Sequence, residues 1–187
     1  FFVSENMKES TPQEENIDYV NQSIIDHTNE EIEVINQNQS TTMIKPYVDD
    51  QVVVAKYYYD YQDDNTTQEK SILYHENTYI QNTGVDYVSK EVFDVNSIAD
   101  GTVISVTQDD IVGQTIKIKH NNDMISVYQS VNDVKVKEND EVTKGQVIAT
   151  SGTNNINSEL GNHLHFELYN QNILVNPEDF FIANEGN

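Results

Sequence analysis

The sequence predicts an all-β fold, mainly antiparallel with a sandwich-like or jelly-roll-like core, that carries an N-terminal helical extension. From residue 46 onward, short runs of β-branched and aromatic residues recur about every 8–12 residues without an intervening helical period. Residues 1–45 instead contain a helix-start signal followed by apolar residues at near-helical spacing. We therefore expect an acidic N-terminal helix or linker over 1–45 and one β domain over 46–187.

The N-terminal segment opens its helical pattern at Thr11-Pro12-Gln13-Glu14, where Thr11 can cap, Pro12 suits the first helical position and Glu14 completes a capping box. This signal predicts a helix over 12–37 with a thin apolar stripe, formed by Ile17, Val20, Ile24, Ile32 and Ile35. A solvated spacer and a docking or oligomerising helix both fit the stripe. The start at Phe1-Phe2-Val3 suggests a juxtamembrane position after a removed anchor, and a proteolysis or cloning boundary explains it equally well.

The β domain should begin with a strand over 52–59, and 71–74 is a second run of the same type. The polar stretch 60–67 between them predicts a connecting loop, so that the two runs form a hairpin. The run 115–119 alternates between Ile and polar residues, which predicts one solvated face. The remaining strands are expected at 102–107, 124–128, 133–136, 146–150 and 163–168.

The charge of the chain excludes several classes of function. The 187 residues include 32 acidic and 10 basic ones, for a net charge of −22, and all the basic residues are lysine. Because nucleic-acid and anionic-lipid binding need clustered basic residues, we expect no nucleic-acid partner and no direct contact with a membrane surface. Cysteine is absent, which excludes disulfides and thiolate chemistry.

Two histidines, His163 and His165, share one face of a predicted strand because side chains alternate with period two. Paired imidazoles suit a zinc site, although the pair alone is a weak signal. Read outward from this pair, residues 79–181 resemble the LytM or lysostaphin-like zinc endopeptidases of family M23, which cut peptidoglycan cross-bridges. Four blocks carry the resemblance: 82–86 (NTGVD), 100–103 (DGTV), 139–149 (NDEVTKGQVIA) and 161–167 (GNHLHFE), followed by Asn176-Pro177.

At two positions the chain departs from the pattern of that family. The resemblance places the metal ligands at Asn82, Asp86 and His165, and the catalytic histidines at Ser130 and His163. An amide is a poor substitute for an imidazole ligand, and a serine cannot carry the charge of a protonated histidine. The resemblance therefore implies vestigial positions only, with no catalytic residue, no metal and no cofactor, unless His75 or His120 folds back to supply a third nitrogen.

Further residues, over 47–87, resemble the branch of this family that functions in endospore formation. This implies a single-pass protein of the forespore membrane whose extracytoplasmic LytM domain faces the intermembrane space. There it would pair with a mother-cell protein resembling stage III sporulation protein AH, in a ring-like intercellular channel or zipper. Two alternatives remain open: a zinc-dependent peptidoglycan endopeptidase, with zinc as its cofactor, and a peptidoglycan binder that does not cut.

Interface residues are less well determined by the sequence. Tyrosine is a favoured interface anchor, which makes Tyr57, Tyr58, Tyr59 and Tyr61 candidates for contact with a protein partner. The same tyrosines would equally serve core and cross-strand packing, and only one face of a strand can be exposed.

Overall fold

The computed structural model describes residues 42–182. The helix predicted over 12–37, and nearly all of the segment 1–45, lie outside this range. Met43 is buried in the core and bridges to Phe181, so packing on the β domain already begins before residue 46. Between residues 42 and 182, no helix has the length and apolar character needed to cross a bilayer.

The described residues form twelve strands and one short α-helix, with 3-10 turns at Ser158–Leu160 and Pro177–Asp179. In chain order the elements are β1 (Val53–Lys56), α1 (Asn65–Lys70), β2 (Ile72–His75), β3 (Thr78–Gln81), β4 (Val85–Val88), β5 (Asp94–Asn96), β6 (Gly101–Asp109), β7 (Gly113–His120), β8 (Met124–Asn132), β9 (Glu141–Val142), β10 (Val147–Ser151), β11 (His163–Asn170) and β12 (Ile173–Val175). The prediction of a mainly antiparallel β fold is confirmed.

Ten strands belong to one antiparallel sheet in which β1, β4, β11, β8, β7, β6 and β9 are successive neighbours. Strand β10 pairs with β5 and β8, and β12 pairs with β11. Strands β2 and β3 form a separate two-stranded sheet. Strand β11 therefore lies between β4 and β8, which gives it neighbours on both sides at the centre of the fold.

Three predictions made from the sequence are wrong. Strand β1 does not form a hairpin with β2: it pairs with β4, and β2 pairs with β3. Part of the predicted loop over 60–67 is the start of helix α1, whose N-terminus Asp64 caps by accepting from Thr66 N at 2.8 Å. The stretch 133–136 is not a strand, because Asp133 has a φ of +44° and interrupts the extended backbone that leaves β8.

The core consists of buried aromatic and branched side chains, most of them from strands of the large sheet. Tyr128 and Phe166 are fully buried, and their ring centroids lie 5.1 Å apart in an edge-on arrangement. The hydroxyl of Tyr128 accepts a hydrogen bond from Ile98 N at 3.1 Å, so its polar tip is satisfied. In β7, Ile116 and Ile118 are buried while the intervening lysines are exposed, which confirms the predicted alternation.

Candidate functional site

Strands β4 and β11 bring together residues that are far apart in the sequence. In the antiparallel register, His165 lies directly opposite Asp86 and His163 lies opposite Val88. The close approach depends on Gly84, since a Cβ there would collide with the backbone carbonyl of Phe166. The two histidines therefore occupy the same face of β11, as the sequence predicted, and only one of them meets the carboxylate.

His165 forms a buried ion pair with Asp86. Its Nδ1 lies 2.7 Å from Asp86 Oδ1, and its Nε2 lies 3.4 Å from Glu167 Oε1. Burial alone would lower the pKa of this imidazole, but hydrogen bonds and charge from the two carboxylates outweigh burial and raise the pKa to about 9. His165 is therefore an imidazolium at neutral pH, and its Nδ1–H donates to Asp86.

His163 is held in the opposite protonation state. Its Nδ1 lies 2.8 Å from the carbonyl oxygen of Gly161, and since that oxygen can only accept, Nδ1 carries the proton. Its Nε2 is buried and has no hydrogen-bond partner. Burial lowers the pKa of this imidazole, so His163 is neutral with its free lone pair on Nε2.

Asn82 contacts Asp86 through its amide nitrogen. Asn82 Nδ2 lies 3.3 Å from Asp86 Oδ2, 2.9 Å from the carbonyl oxygen of Gly84 and 3.0 Å from that of Tyr57. All three neighbours are acceptors, so rotating the amide by 180° would set its oxygen against three oxygens. Asn82 Oδ1 consequently points elsewhere, buried and without a partner. The group that faces Asp86 is an N–H donor, which has no lone pair to offer a metal.

Ser130 occupies a bulge in β8. Its φ is +63°, and the register between β7 and β8 shifts by one residue at this position. The side chain is fully buried, and its Oγ accepts a hydrogen bond from Asn154 Nδ2 at 2.7 Å. The serine hydroxyl is thus committed to a structural contact.

A cavity of about 160 Å³ lies over Asp86 and His165. One wall is formed by Leu73, Ile80 and Gln81, which belong to the hairpin of β2 and β3. We call residues 57–81 the cap, because this segment, with α1 and the hairpin, leaves the large sheet after β1 and returns at Asn82. Backbone bonds close it there: Tyr59 N donates to Asn82 O at 3.0 Å, and Asn82 N donates to Ser71 O at 2.9 Å.

The donors around Asp86 do not fit a catalytic zinc, which needs three protein ligands and an open position. Asp86 Oδ1 already receives the His165 proton. His120 is engaged elsewhere, with Nδ1 2.8 Å from Asp100 O and Nε2 2.7 Å from Ser126 Oγ. His75 lies on β2 and approaches the carboxylate of Glu76 at 3.9 Å. Among residues 42–182, no group of three histidine or acidic side chains is placed to hold a metal ion.

Sequence reasoning missed part of the polar network around these residues. Asn157 Nδ2 lies 3.4 Å from Asp86 Oδ2, and Glu167 accepts from the hydroxyls of Thr83 and Tyr169. The period of two along β11 would have placed Glu167 on the same face as the two histidines. Nothing in the local sequence points to Asn157, which follows a loop and reaches the site through tertiary folding.

Comparison with known proteins agrees with this geometry. The model of peptidase family M23 matches residues 80–177, a little over half of the chain. Stage II sporulation protein Q of Bacillus subtilis is 32% identical over 161 residues, covering 84% of this chain and 56% of that protein. The murein hydrolase activator NlpD of Escherichia coli is 35% identical over 97 residues, covering 51% of this chain and 25% of that protein.

A solved structure titled as the SpoIIQ–SpoIIIAH pore-forming complex superposes with a TM-score of 0.72 at 32% identity, covering 75% of this chain and 91% of that one. The resemblance to the sporulation branch is thus confirmed, although the chain spans only a little over half the length of the Bacillus subtilis relative. The strand order, the register of β4 on β11 and the match over 80–177 lead to one conclusion: the chain belongs to peptidase family M23.

Proposed function

We propose that this chain is a non-catalytic LytM-like module of endospore formation, which acts by binding a protein partner resembling the ectodomain of stage III sporulation protein AH. The observation that carries the proposal is the orientation of Asn82, whose N–H rather than its oxygen faces Asp86. With the imidazolium of His165 on the other carboxylate oxygen, a cation is already present where the family's enzymes bind zinc. Hydrolysis would need a metal-activated water, and these donors do not support one.

Similarity supports the choice of partner. The relative that covers 84% of this chain is a sporulation protein, and the superposed complex pairs that kind of protein with SpoIIIAH. The finer parts of the proposal follow from this likeness: the domain faces the space between the forespore and mother-cell membranes, and repeated pairs form a ring-like channel or zipper. The strongly acidic charge of the chain agrees with a neutral or basic partner.

The cap makes peptidoglycan a poor ligand for the cavity over Asp86 and His165. Leu73 and Ile80 stand against the cavity over Asp86, and the imidazole of His165 is only 9% exposed. The hairpin therefore narrows the approach of a peptide stem to that carboxylate. The cavity of about 160 Å³ is also small beside typical ligand sites of about 300 Å³ or more.

The test combines a binding measurement with a chemical one. Isothermal titration of this chain with the ectodomain of the stage III sporulation protein AH homologue from the same bacterium should give saturable one-to-one binding. Zinc equilibration, removal of free metal and elemental analysis should give far less than one zinc per chain. Purified cell-wall sacculi should release no soluble peptide fragments beyond a buffer blank, with lysostaphin on a susceptible wall as the positive control.

The two parts of the proposal fail separately. Absence of binding to the ectodomain would overturn the partner. One zinc per chain together with release of peptide fragments would overturn the non-catalytic assignment and establish the endopeptidase. Retention on sacculi without cutting, in the absence of ectodomain binding, would establish the wall-binding alternative.

A further inference from the structure

Every exposed aromatic side chain among residues 42–182 lies in the cap. These are Tyr57, Tyr61, Tyr74 and Tyr79. The family match begins at residue 80, so this cluster lies outside the peptidase-like part of the chain. Tyr58 and Tyr59 are half-buried, and Tyr58 packs against the core, which assigns these two of the sequence-predicted interface candidates to packing.

Tyr74 and Tyr79 form a tilted aromatic pair on the exposed face of the hairpin. The two residues are directly opposite in the register of β2 and β3, and their ring centroids lie 5.1 Å apart with 46° between the ring planes. The hydroxyl of Tyr74 donates to Asn77 Oδ1 at 2.8 Å, which restricts that ring. The pair is therefore an ordered surface that loses little side-chain entropy when it is covered.

The tyrosine pair lies on the face of the hairpin that is turned away from the cavity. Leu73 and Ile80 are the next residues along the two strands, so they project from the opposite face and form the wall of the cavity over the site. Leu73 is 5% exposed, whereas Tyr74 is 58% and Tyr79 is 77% exposed. The hairpin thus has a buried aliphatic face and an exposed aromatic face, and only the second is available to a partner.

The cap that carries the aromatic pair is acidic. Glu76 lies at the tip of the hairpin with 86% of its side chain exposed, and its backbone has a φ of +46°. The cap carries five carboxylates, Asp60, Asp63, Asp64, Glu69 and Glu76, against one lysine, Lys70. The face of a tyrosine ring attracts cations, and an adjacent carboxylate strengthens that preference. An aromatic surface beside a carboxylate is complementary to a basic side chain, above all a planar guanidinium.

We propose that Tyr74 and Tyr79, with Glu76 at the hairpin tip, dock an arginine or lysine side chain presented by the protein partner. This inference rests on the proposed function and adds the surface of the chain that contacts the partner. The basic side chain stacks on the tyrosine pair and pairs with the Glu76 carboxylate. Aromatic anchors of this kind carry much of the binding free energy in protein interfaces.

The test measures the dissociation constant of the stage III sporulation protein AH homologue's ectodomain for the wild-type chain and three variants. Tyr74→Ala/Tyr79→Ala should weaken binding by about tenfold or more, as expected for the loss of interface anchors. Glu76→Gln should weaken binding by about threefold and flatten the dependence on NaCl concentration, because it removes charge without changing shape. Tyr61→Ala is the matched control: Tyr61 is 78% exposed but lies outside the hairpin, and its removal should leave binding unchanged.

The circular dichroism spectrum should be unchanged in all three variants, and the unfolding midpoint should stay close to that of the wild type, because the substituted side chains lie on the surface. Wild-type binding that the double variant retains within twofold would overturn this surface and leave the proposed function intact. No wild-type binding at all would overturn both. If wild-type protein instead binds purified sacculi and the double variant does not, the tyrosine pair is a glycan platform and the proposal is wrong.

Discussion

Removing the side chain of Asn82 should destabilise the domain by about 2–3 kcal/mol. An amide has two N–H groups, which here serve the carbonyl oxygens of Tyr57 and Gly84 and the Asp86 carboxylate. A buried hydrogen bond contributes about 1 kcal/mol, and an acceptor left without its donor adds to the loss. Asn82→Ala also removes the unpartnered Oδ1, which offsets part of this cost. The backbone bonds of residue 82 to the cap remain, so the side chain alone is tested.

Urea unfolding followed by circular dichroism measures this loss directly. With a urea dependence of about 2 kcal/mol per molar, typical of a domain of this size, the midpoint should fall by about 1 M. Asn65→Ala, at an exposed position in α1, is the matched control and should change stability by less than about 0.5 kcal/mol. Asn82→Asp should be at least as destabilising as Asn82→Ala at neutral pH, because it directs a carboxylate at two carbonyls and at Asp86.

A midpoint for Asn82→Ala within the error of the wild type would refute the reasoning. It would mean that the amide contributes nothing net, and that its orientation towards Asp86 does not determine the state of the site. An Asn82→Asp variant more stable than the wild type would contradict the same argument by showing that the pocket accepts an added negative charge.

Three further predictions concern the same region. The pKa of His165 is raised to about 9 in the folded chain, so the protonated imidazole contributes about 3 kcal/mol to stability below about pH 6.5, and this contribution is lost as the pH rises through 9. Urea unfolding at pH 6 and at pH 9.5 should show the loss of stability, and the loss should be smaller in Asp86→Asn. Leu73→Ala should open the cap locally, so that hydrogen exchange of cap amides speeds up more than exchange of β8 amides. Ser130→Ala leaves the Asn154 amide without its acceptor and should cost about 1–2 kcal/mol in urea unfolding.

Each of these predictions has an outcome that contradicts it. Stability that is flat between pH 6 and 9.5 in the wild type would show that folding does not raise the pKa of His165 above its ordinary value. Uniform acceleration of exchange in Leu73→Ala would make the cap part of one cooperative unit with the sheet. A Ser130→Ala variant as stable as the wild type would show that the Asn154 amide finds another acceptor.

The central strands of the fold were predictable because the pattern that identifies each of them lies within a few consecutive residues. Strict alternation identified β7, and the spacing of His163 and His165 placed both on one face of β11. The pairing of β1 was not predictable in this way. Its partner β4 begins about thirty residues later, and the intervening cap contains a strand-like run that competes for the same assignment.

The stretch 133–136 shows how a correct burial pattern can give a wrong pairing. Val136 is buried, as alternation predicts, and Lys135 N donates to Ile148 O at 2.8 Å. Asp133, however, has a φ of +44°, which breaks the strand as it leaves β8. The residues thus bury their apolar side chains without joining a ladder. The pattern of apolar residues indicates which side chains face inward, whereas a strand also needs extended backbone over several consecutive residues.

The candidate site, too, was only partly predictable from the sequence. The motif positions, including Asn82 and Ser130, were visible in the sequence, but the direction in which the Asn82 amide points was not. That direction is fixed by the carbonyl of Tyr57, which reaches the site from the other end of the cap. For the cap, the sequence predicts the end of a first strand, a loop over 60–67 and a second strand over 71–74. The position of the cap over Asp86 depends on the tertiary packing of Leu73.

The imidazolium of His165 has a consequence for how the chain reaches its folded state. A metal-dependent fold needs its ion to be delivered, and its stability follows the supply of that ion. Here the positive charge between Asp86 and Glu167 is a proton, which water supplies everywhere. The charge that joins β4 to β11 at this point is therefore in place wherever the pH lies below about 9, and its formation needs no step of delivery.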